Sequence, residues 1–189
     1  MTDIYAGSPA RTQPAAGSDS DGQHAQSASR DGLVEYVELI FFAYRDFTGE
    51  ADAMLAEFGF GRAHHRVLHF VNRRPGLRVA DLLDILKITK QSLARVLKQL
   101  VDEGYVLQQA GETDRRERLL FLTQKGATLA DRLVALQVNR IAGILDTLGT
   151  DAGPIARQFL ASLIAEPERP RIERLLTSTV NDGASDREG

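Results

Sequence analysis

Apolar residues recur every three or four positions along 33–47, beginning at Leu33 and ending at Phe47. This spacing predicts one broad apolar stripe on a helix of about four turns. Asp31 is a suitable N-cap for it, and a short second segment over 51–57 follows. Aromatic residues at helical spacing are typical of a core or a subunit interface, so we interpret the stripe as an interface.

Three further helical patterns follow in quick succession. The first covers about 62–72 and ends before Pro75-Gly76. The second is a two-turn helix over 79–86, and a tight connection of three residues separates it from the third, over about 91–103. Gly104 then ends the third helix, since glycine is typical of a left-handed C-terminal cap.

The period of the pattern changes from 3.6 to 2 after this point. Residues 105–109 and 118–122 predict two strands joined by a charged loop over 110–117. A long helix over about 124–148 and a last helix over about 155–165 follow. We therefore expect a mainly α fold with a small two-stranded β-wing, which is the element order of a winged helix-turn-helix with an added helical region.

The two ends of the chain differ from this central part. Residues 1–30 are rich in Ala, Gly, Ser, Asp and Gln, and such a stretch buries too little apolar surface to fold. We expect a disordered N-terminal tail there, and a short helix with a disordered tail over 166–189. A length of 189 residues then leaves one compact domain between the tails.

Composition excludes several classes of function. The chain has no cysteine, which removes disulfide scaffolds, thiolate nucleophiles and cysteine-ligated metals. No apolar run reaches the roughly 18 residues that span a membrane, so no membrane partner is predicted and we expect the cytoplasm. No serine–histidine–aspartate order, phosphate-binding glycine loop or zinc-protease motif is present. We expect a protein that is not an enzyme and has no cofactor.

Charge is distributed unevenly. The net charge is only −3, yet residues 62–118 contain 12 basic and 7 acidic residues. The remainder contains 11 basic and 19 acidic residues. A basic centre between acidic ends indicates a local surface for a polyanion, and the element order makes double-stranded DNA the expected partner.

The third of the short helices carries the candidate contacts to DNA bases. Once its apolar stripe is removed, its outward residues are basic, amide or small, with no acid before Asp102: Gln91, Ser92, Ala94, Arg95, Lys98 and Gln99, with Thr89 and Lys90 at its start. Gln and Arg bond base edges in pairs, whereas Ser and Lys suit phosphates. The predicted wing loop adds Arg115 and Arg116, which can enter a narrow minor groove, and Asp114, which can hold the loop in shape.

Several motifs in this region resemble those of the MarR family of bacterial transcriptional regulators. They include Ile88-Thr-Lys-Gln-Ser-Leu93, Asp114-Arg-Arg116 and Leu122-Thr-Gln-Lys-Gly126, together with 58–68, 75–83 and Glu103-Gly-Tyr-Val106. The resemblance extends over about 33–165. The strings 42–47 and 59–68 are also similar to the PetP branch of the family.

The resemblance implies a homodimer that binds a pseudo-palindromic operator. It implies one domain over 31–165, with dimerisation helices over about 31–57 and 124–165 and a winged helix-turn-helix over about 62–123. It also implies that Arg116 is the minor-groove arginine and Asp114 its orienting partner. Arg78 departs from the family pattern, being a poor helix cap whose charge could meet a phosphate.

The family resemblance further implies a small-molecule effector, for which we expect a pocket at Phe42, Arg45, His65 and His69. The spacing of His65 and His69 would also suit a metal, and His64 adjoins them. No metal ligand is assigned, because these histidines also suit packing and hydrogen bonding. Two alternatives therefore stay open: a metal- or haem-responsive regulator using His64, His65 and His69, and an architectural DNA-binding protein without a ligand.

Overall fold

The computed structural model describes residues 29–177, which contain seven α-helices, three short strands and one 3-10 turn. The elements in chain order are α1 Arg30–Ala56, α2 Arg62–Arg73, β1 Leu77–Arg78, α3 Val79–Leu86, α4 Lys90–Asp102, β2 Val106–Ala110, β3 Arg118–Leu122, α5 Gln124–Leu148, α6 Ala152–Ser162, the 3-10 turn Glu166–Glu168 and α7 Arg169–Thr177. The mainly α fold class is confirmed. The tails expected at 1–30 and after 177 lie outside the described residues, apart from 29 and 30.

Helix α1 differs in two respects from the prediction. It is a single helix of 27 residues, so the separate segment predicted over 51–57 is wrong. Burial of Ala51 and Leu55 offsets the roughly 1 kcal/mol that Gly49 costs inside a helix. Its cap is also not Asp31, because the hydroxyl oxygen of Ser29 accepts a hydrogen bond from the N–H of Gly32 at 3.2 Å.

The chain divides into two units, Met1–Leu39 and Ile40–Gly189, of which residues 29–39 and 40–177 are described. In the first unit, the described residues form the start of α1 and expose large apolar side chains: Leu33, Val34, Tyr36, Val37 and Leu39. The second unit contains the core. It is built from the end of α1, the short helices, the sheet and the first half of α5, and its fully buried members include Leu55, Leu68, Leu82, Leu93, Leu100, Leu120 and Leu133.

The strands form one antiparallel sheet in the order β1-β3-β2. Val106 pairs with Leu122 and Ala110 with Arg118, which gives the predicted hairpin. The sheet has a third strand that the sequence pattern did not predict, since Leu77 pairs with Leu120. This strand connects α2 to α3 and thereby fixes the first helix of the helix-turn-helix to the wing.

Two helix termini determine how the helix-turn-helix and α5 are positioned. Gly104 has a φ of 73°, which confirms the left-handed stop after α4. Thr123 caps α5 by accepting from the N–H of Gly126 at 3.0 Å. A Cβ at Gly126 would lie 2.0 Å from the carbonyl oxygen of Tyr105, so this close approach requires glycine.

Candidate nucleic-acid interface

Helix α4 presents the residues that the sequence predicted to contact DNA bases. Leu93, Val96, Leu97 and Leu100 are buried, which leaves Lys90, Gln91 and Arg95 exposed on the opposite face. This face exists because the apolar residues of the 13-residue helix recur at helical spacing. Neither Lys90 nor Arg95 forms an ion pair or hydrogen bond with another described residue. Both charges are therefore available to an outside partner.

Thr89 and Ser92 form the N-terminal cap of α4. The hydroxyl oxygen of Thr89 accepts a hydrogen bond from the N–H of Ser92 at 3.1 Å and donates its own proton to the Ser92 hydroxyl at 2.8 Å. This pair fixes the start of the helix and satisfies one of its free N–H groups. Both residues thus have a structural role in addition to the role predicted for them.

Two other residues predicted on this face have partners within the protein. Lys98 forms an ion pair with Asp102. Gln99 is only partly exposed, because its carbonyl oxygen lies 3.0 Å from Nε2 of His64 and its amide nitrogen donates to Glu103 at 2.9 Å. The free part of the α4 surface is therefore its first two turns.

The wing loop, residues 111–117, carries two exposed arginines. The side chains of Arg115 and Arg116 form no ion pair or hydrogen bond with the described residues. Asp114 accepts a hydrogen bond from the backbone N–H of Arg116 at 2.8 Å, so it shapes the loop through the main chain. The guanidinium of Arg118 also supports the loop, donating to the carbonyl of Arg115 at 2.6 Å.

Arg78 does not have the free charge that its sequence position suggested. Its guanidinium donates to both carboxylate oxygens of Asp81, at 2.7 and 2.8 Å, and to Glu117 at 2.9 Å. These hydrogen bonds raise the pKa of Arg78 above the usual arginine value. Arg78 is thus a structural connection between α3 and the wing loop.

A separate cavity of about 710 Å³ lies among the second half of α1, α2 and α5. Of the four residues that we expected at an effector pocket, His65 and His69 line this cavity, whereas Phe42 and Arg45 do not. Arg45 instead pairs with the neighbouring Asp46 at 2.7 Å. The cavity is lined by Tyr44, Phe47, Thr48, Arg62, His65, Arg66, His69, Phe70, Arg73, Val134, Gln137, Val138 and Ile141.

The cavity wall on α2 is strongly basic, and no carboxylate lines it. Arg62, Arg66 and Arg73 recur at helical spacing beside His65 and His69, so the sequence contains a signal for this basic wall. Burial lowers the pKa of both histidines. Two of these arginines already have partners, since Arg62 pairs with Asp52 at 2.6 Å and Arg66 donates to the carbonyl of Leu86 at 3.0 Å. The side chain of Arg73 forms no ion pair or hydrogen bond with the described residues.

The three neighbouring histidines do not share one site. Nδ1 of His64 accepts from the N–H of Gly61 at 3.1 Å, and its Nε2 faces Gln99. The ring also stacks on Phe60, with centroids 4.8 Å apart. Among residues 29–177, no group of three or more histidine, aspartate or glutamate side chains is placed to hold a metal ion.

The sequence of this chain is similar to those of known proteins. Residues 58–117 match the MarR family. The HTH-type transcriptional regulator PetP of Rhodobacter capsulatus is 43% identical over 143 residues, which cover 76% of this chain and 86% of PetP. The chain belongs to the MarR family. The likeness to PetP also confirms the branch of the MarR family that the sequence indicated.

Two further proteins are similar to this MarR-family chain, one in sequence and one in structure. An HTH-type transcriptional repressor of Mycobacterium tuberculosis is 29% identical over 131 residues, covering 68% of this chain and 92% of the repressor. The crystal structure of Streptococcus pneumoniae FabT in complex with DNA superposes with a TM-score of 0.63 at 16% identity, covering 69% of this chain and 94% of FabT. The FabT structure thus shares the fold.

None of the helices in the described part of the chain combines the length and the apolar character that crossing a membrane requires.

Proposed function

We propose that the protein is a transcriptional regulator that binds double-stranded DNA in the cytoplasm as a homodimer on a pseudo-palindromic operator. The observation that carries the proposal is the set of basic residues left without an internal partner. Among the basic residues of 62–118, the side chains of Lys90, Arg95, Arg115 and Arg116 form no ion pair or hydrogen bond with the described residues. The side chain of Arg73 in the basic cavity is the other one without such a partner. Unpaired cations on an exposed helix and an adjoining wing suit a polyanion.

Each residue of the proposed interface has a role that follows from its position. Gln91 and Arg95 contact base edges in the major groove, and Lys90 contacts a phosphate near the start of α4. Arg115 contacts the DNA backbone and Arg116 enters the minor groove. Asp114 fixes the conformation of the wing loop that carries both arginines. Thr89, Ser92 and Lys98 lie beside these contacts as phosphate ligands, with Lys98 exchanging Asp102 for the nucleic acid.

Exposed apolar surface supports the homodimer. The first unit exposes the apolar residues at the start of α1. The second unit exposes Ile141 and Ile144 of α5, Ile155 and Leu160 of α6, and Leu163 directly after α6. Large apolar side chains that cluster on an exposed helix are typical of interfaces between subunits. Two copies place their α4 helices about one turn of DNA apart, near 34 Å. Sedimentation of the wild-type protein should give twice the mass of one chain. The double variant with Leu160→Glu and Leu163→Glu should give the mass of a single chain.

DNA binding is tested by selecting a preferred site from random duplexes and measuring its affinity by fluorescence anisotropy. Arg95→Ala should weaken binding by about 1–3 kcal/mol and relax base preference at one position of each half-site. Arg116→Ala should weaken binding with less change in base preference. Arg132→Ala, an exposed arginine on α5, is the matched control. Unchanged affinity in both interface variants would remove the proposal.

The same affinity measurement distinguishes a transcriptional regulator from an architectural DNA-binding protein. An architectural protein binds all duplexes alike with a steep salt dependence, whereas a regulator prefers its operator by at least about 10³-fold. The repressor among the relatives favours repression as the direction of control.

The basic cavity is the proposed effector site. Its arginines and the aromatic rings of Tyr44, Phe47 and Phe70 suit a small aromatic anion. Such a ligand would change DNA affinity if it binds one arrangement of the dimer better than another. Benzoate is a suitable first probe, and Val138→Trp, which narrows this cavity, should abolish its binding in calorimetry.

A further inference from the structure

A second cavity, of about 480 Å³, lies where α7 and the segment before it pack against α2 and α3. Its volume falls in the range of small-molecule sites. The wall is mainly apolar and is formed by Phe70, Ile85, Ile164, Ile172, Leu175 and Leu176. We call it the C-terminal cavity, because removing α7 and the preceding segment would open it.

Four cations and two carboxylates also line the C-terminal cavity. Nζ of Lys87 lies 3.2 Å from one carboxylate oxygen of Glu168, and Arg171 lies 3.4 Å from the other. Arg171 also donates to the carbonyl of Asp84 at 3.2 Å. Glu168 is thus balanced within the protein. Arg73 and Arg74 form no ion pair with any described carboxylate, so the cavity keeps an excess of positive charge.

Arg74 is the unusual member of this set. One terminal nitrogen of its guanidinium donates to the carbonyl of Leu175, which attaches α7 to the end of α2. Its Nε is buried and has no hydrogen-bond partner among residues 29–177. A buried cationic donor without an acceptor is unfavourable in a folded protein. The other terminal nitrogen, Nη1, also forms no hydrogen bond with the described residues, so Arg74 keeps a donor for an anion in the cavity.

We propose that the C-terminal cavity binds an amphipathic carboxylate whose apolar body has about eight to twelve carbons, as its volume and lining allow. The carboxylate accepts hydrogen bonds from Arg74, with Arg73 adding charge, because the planar guanidinium matches a carboxylate better than it matches a neutral head group. The apolar body lies between α7 and the side chains of Phe70 and Ile85. The inference is independent of DNA binding.

The first test is isothermal titration of the full chain with decanoate, kept below its micelle concentration. Decan-1-ol and butyrate are the matched probes, since the first lacks the charge and the second lacks the apolar body. We expect one decanoate per chain and at least tenfold weaker binding of either probe. Decanoate should also raise the melting temperature of the wild-type chain. Absence of decanoate binding, or equal affinity for decan-1-ol, overturns the proposal.

Substitutions then locate the ligand. Arg74→Met should weaken decanoate binding at least tenfold, whereas Arg174→Met, on the exposed side of α7, should leave it unchanged. Ile172→Trp, which fills the C-terminal cavity, should abolish binding. If Arg74→Met does not fold, Arg74→Lys keeps the charge, loses the planar fork and should still weaken binding.

A substitution in the basic cavity distinguishes that site from the C-terminal cavity. Arg73, His69 and Phe70 line both cavities, so none of them distinguishes the two sites. Val138→Trp should abolish benzoate binding and leave decanoate binding unchanged. Loss of decanoate binding in Val138→Trp together with its retention in Ile172→Trp overturns the assignment to the C-terminal cavity. Failure of benzoate or of operator binding affects only the function proposed above.

Discussion

Arg78 and Glu117 connect the first helix of the helix-turn-helix to the wing. A guanidinium nitrogen of Arg78 lies 2.9 Å from a carboxylate oxygen of Glu117, which is the last residue of the wing loop. The same guanidinium is held by Asp81 in the first turn of α3. Because Arg115 and Arg116 belong to this loop, the ion pair influences where the two free charges of the wing are presented.

The first prediction concerns Glu117→Gln. An exposed ion pair contributes about 0–1 kcal/mol, so the free energy of unfolding should change by less than that amount. Amide hydrogen exchange within 111–117 should nevertheless become faster, because the loop loses its connection to Arg78. Mass spectrometry of peptides from the wing and from α5 measures both effects, with α5 as the internal control. Unchanged exchange in the wing would contradict the connecting role.

A second prediction follows from the contact between α5 and the start of the wing. Gly126→Ala places a methyl group where the carbonyl oxygen of Tyr105 already lies, so the backbone must shift. The free energy of unfolding should fall by about 2–3 kcal/mol or more. Gly143→Ala in the same helix meets no atom within 4 Å and should raise it by about 0.5–1 kcal/mol. Urea denaturation of both variants checks the difference in sign.

Local signals explain which elements could be predicted from the sequence. Helix α5 begins and ends as predicted, because Thr123 caps it and Gly149 follows its last turn. The strand β1 could not be found, since two residues carry no alternating pattern and form a strand only by pairing with β3. The continuity of α1 also depends on tertiary burial, which outweighs the helix-breaking tendency of Gly49.

Prediction of the candidate site was limited in the same way. Periodicity alone separates the buried and exposed faces of α4, and it therefore gives Lys90, Gln91 and Arg95. It does not show which charged or polar side chains are occupied by residues distant in sequence. Gln99 is held by His64, 35 positions away, and Arg78 by Glu117, 39 positions away. The C-terminal cavity likewise depends on α7 reaching back to α2 and α3.

A third prediction concerns the pH dependence of stability. Nδ1 of His64 accepts a hydrogen bond from Gly61, so the folded state requires the neutral ring. Burial is the largest cause that lowers the pKa of His64, and the charge of Arg95 lowers it further, while Gln99 and Glu103 only partly oppose this shift. The unfolded state, with a histidine value of about 6.5, then binds the proton more readily. This contribution to stability is complete above about pH 6.5 and is lost as the pH falls below it.

The measurement is urea denaturation at intervals between pH 5 and 7.5. The free energy of unfolding of the wild type should increase with pH over this range. His64→Gln should reduce the slope of that free energy against pH by an amount equivalent to up to one bound proton. His65 and His69 have lowered pKa values as well, so part of the slope should remain in the variant. An identical slope in wild type and His64→Gln would show that His64 does not titrate in this way.

The final prediction separates the two roles of Thr89. Thr89→Ala removes the acceptor for the N–H of Ser92 and should cost about 1 kcal/mol of stability. Thr89→Asp restores a capping oxygen, so its free energy of unfolding should return to within about 0.5 kcal/mol of wild type. The added negative charge should nevertheless weaken operator binding at least tenfold, because α4 begins beside a phosphate in the proposed complex. Thr89→Ser keeps both the cap and the neutral hydroxyl, and it should match wild type in stability and in affinity. Operator binding by Thr89→Asp as tight as that of Thr89→Ser would mean that the start of α4 does not face the DNA backbone.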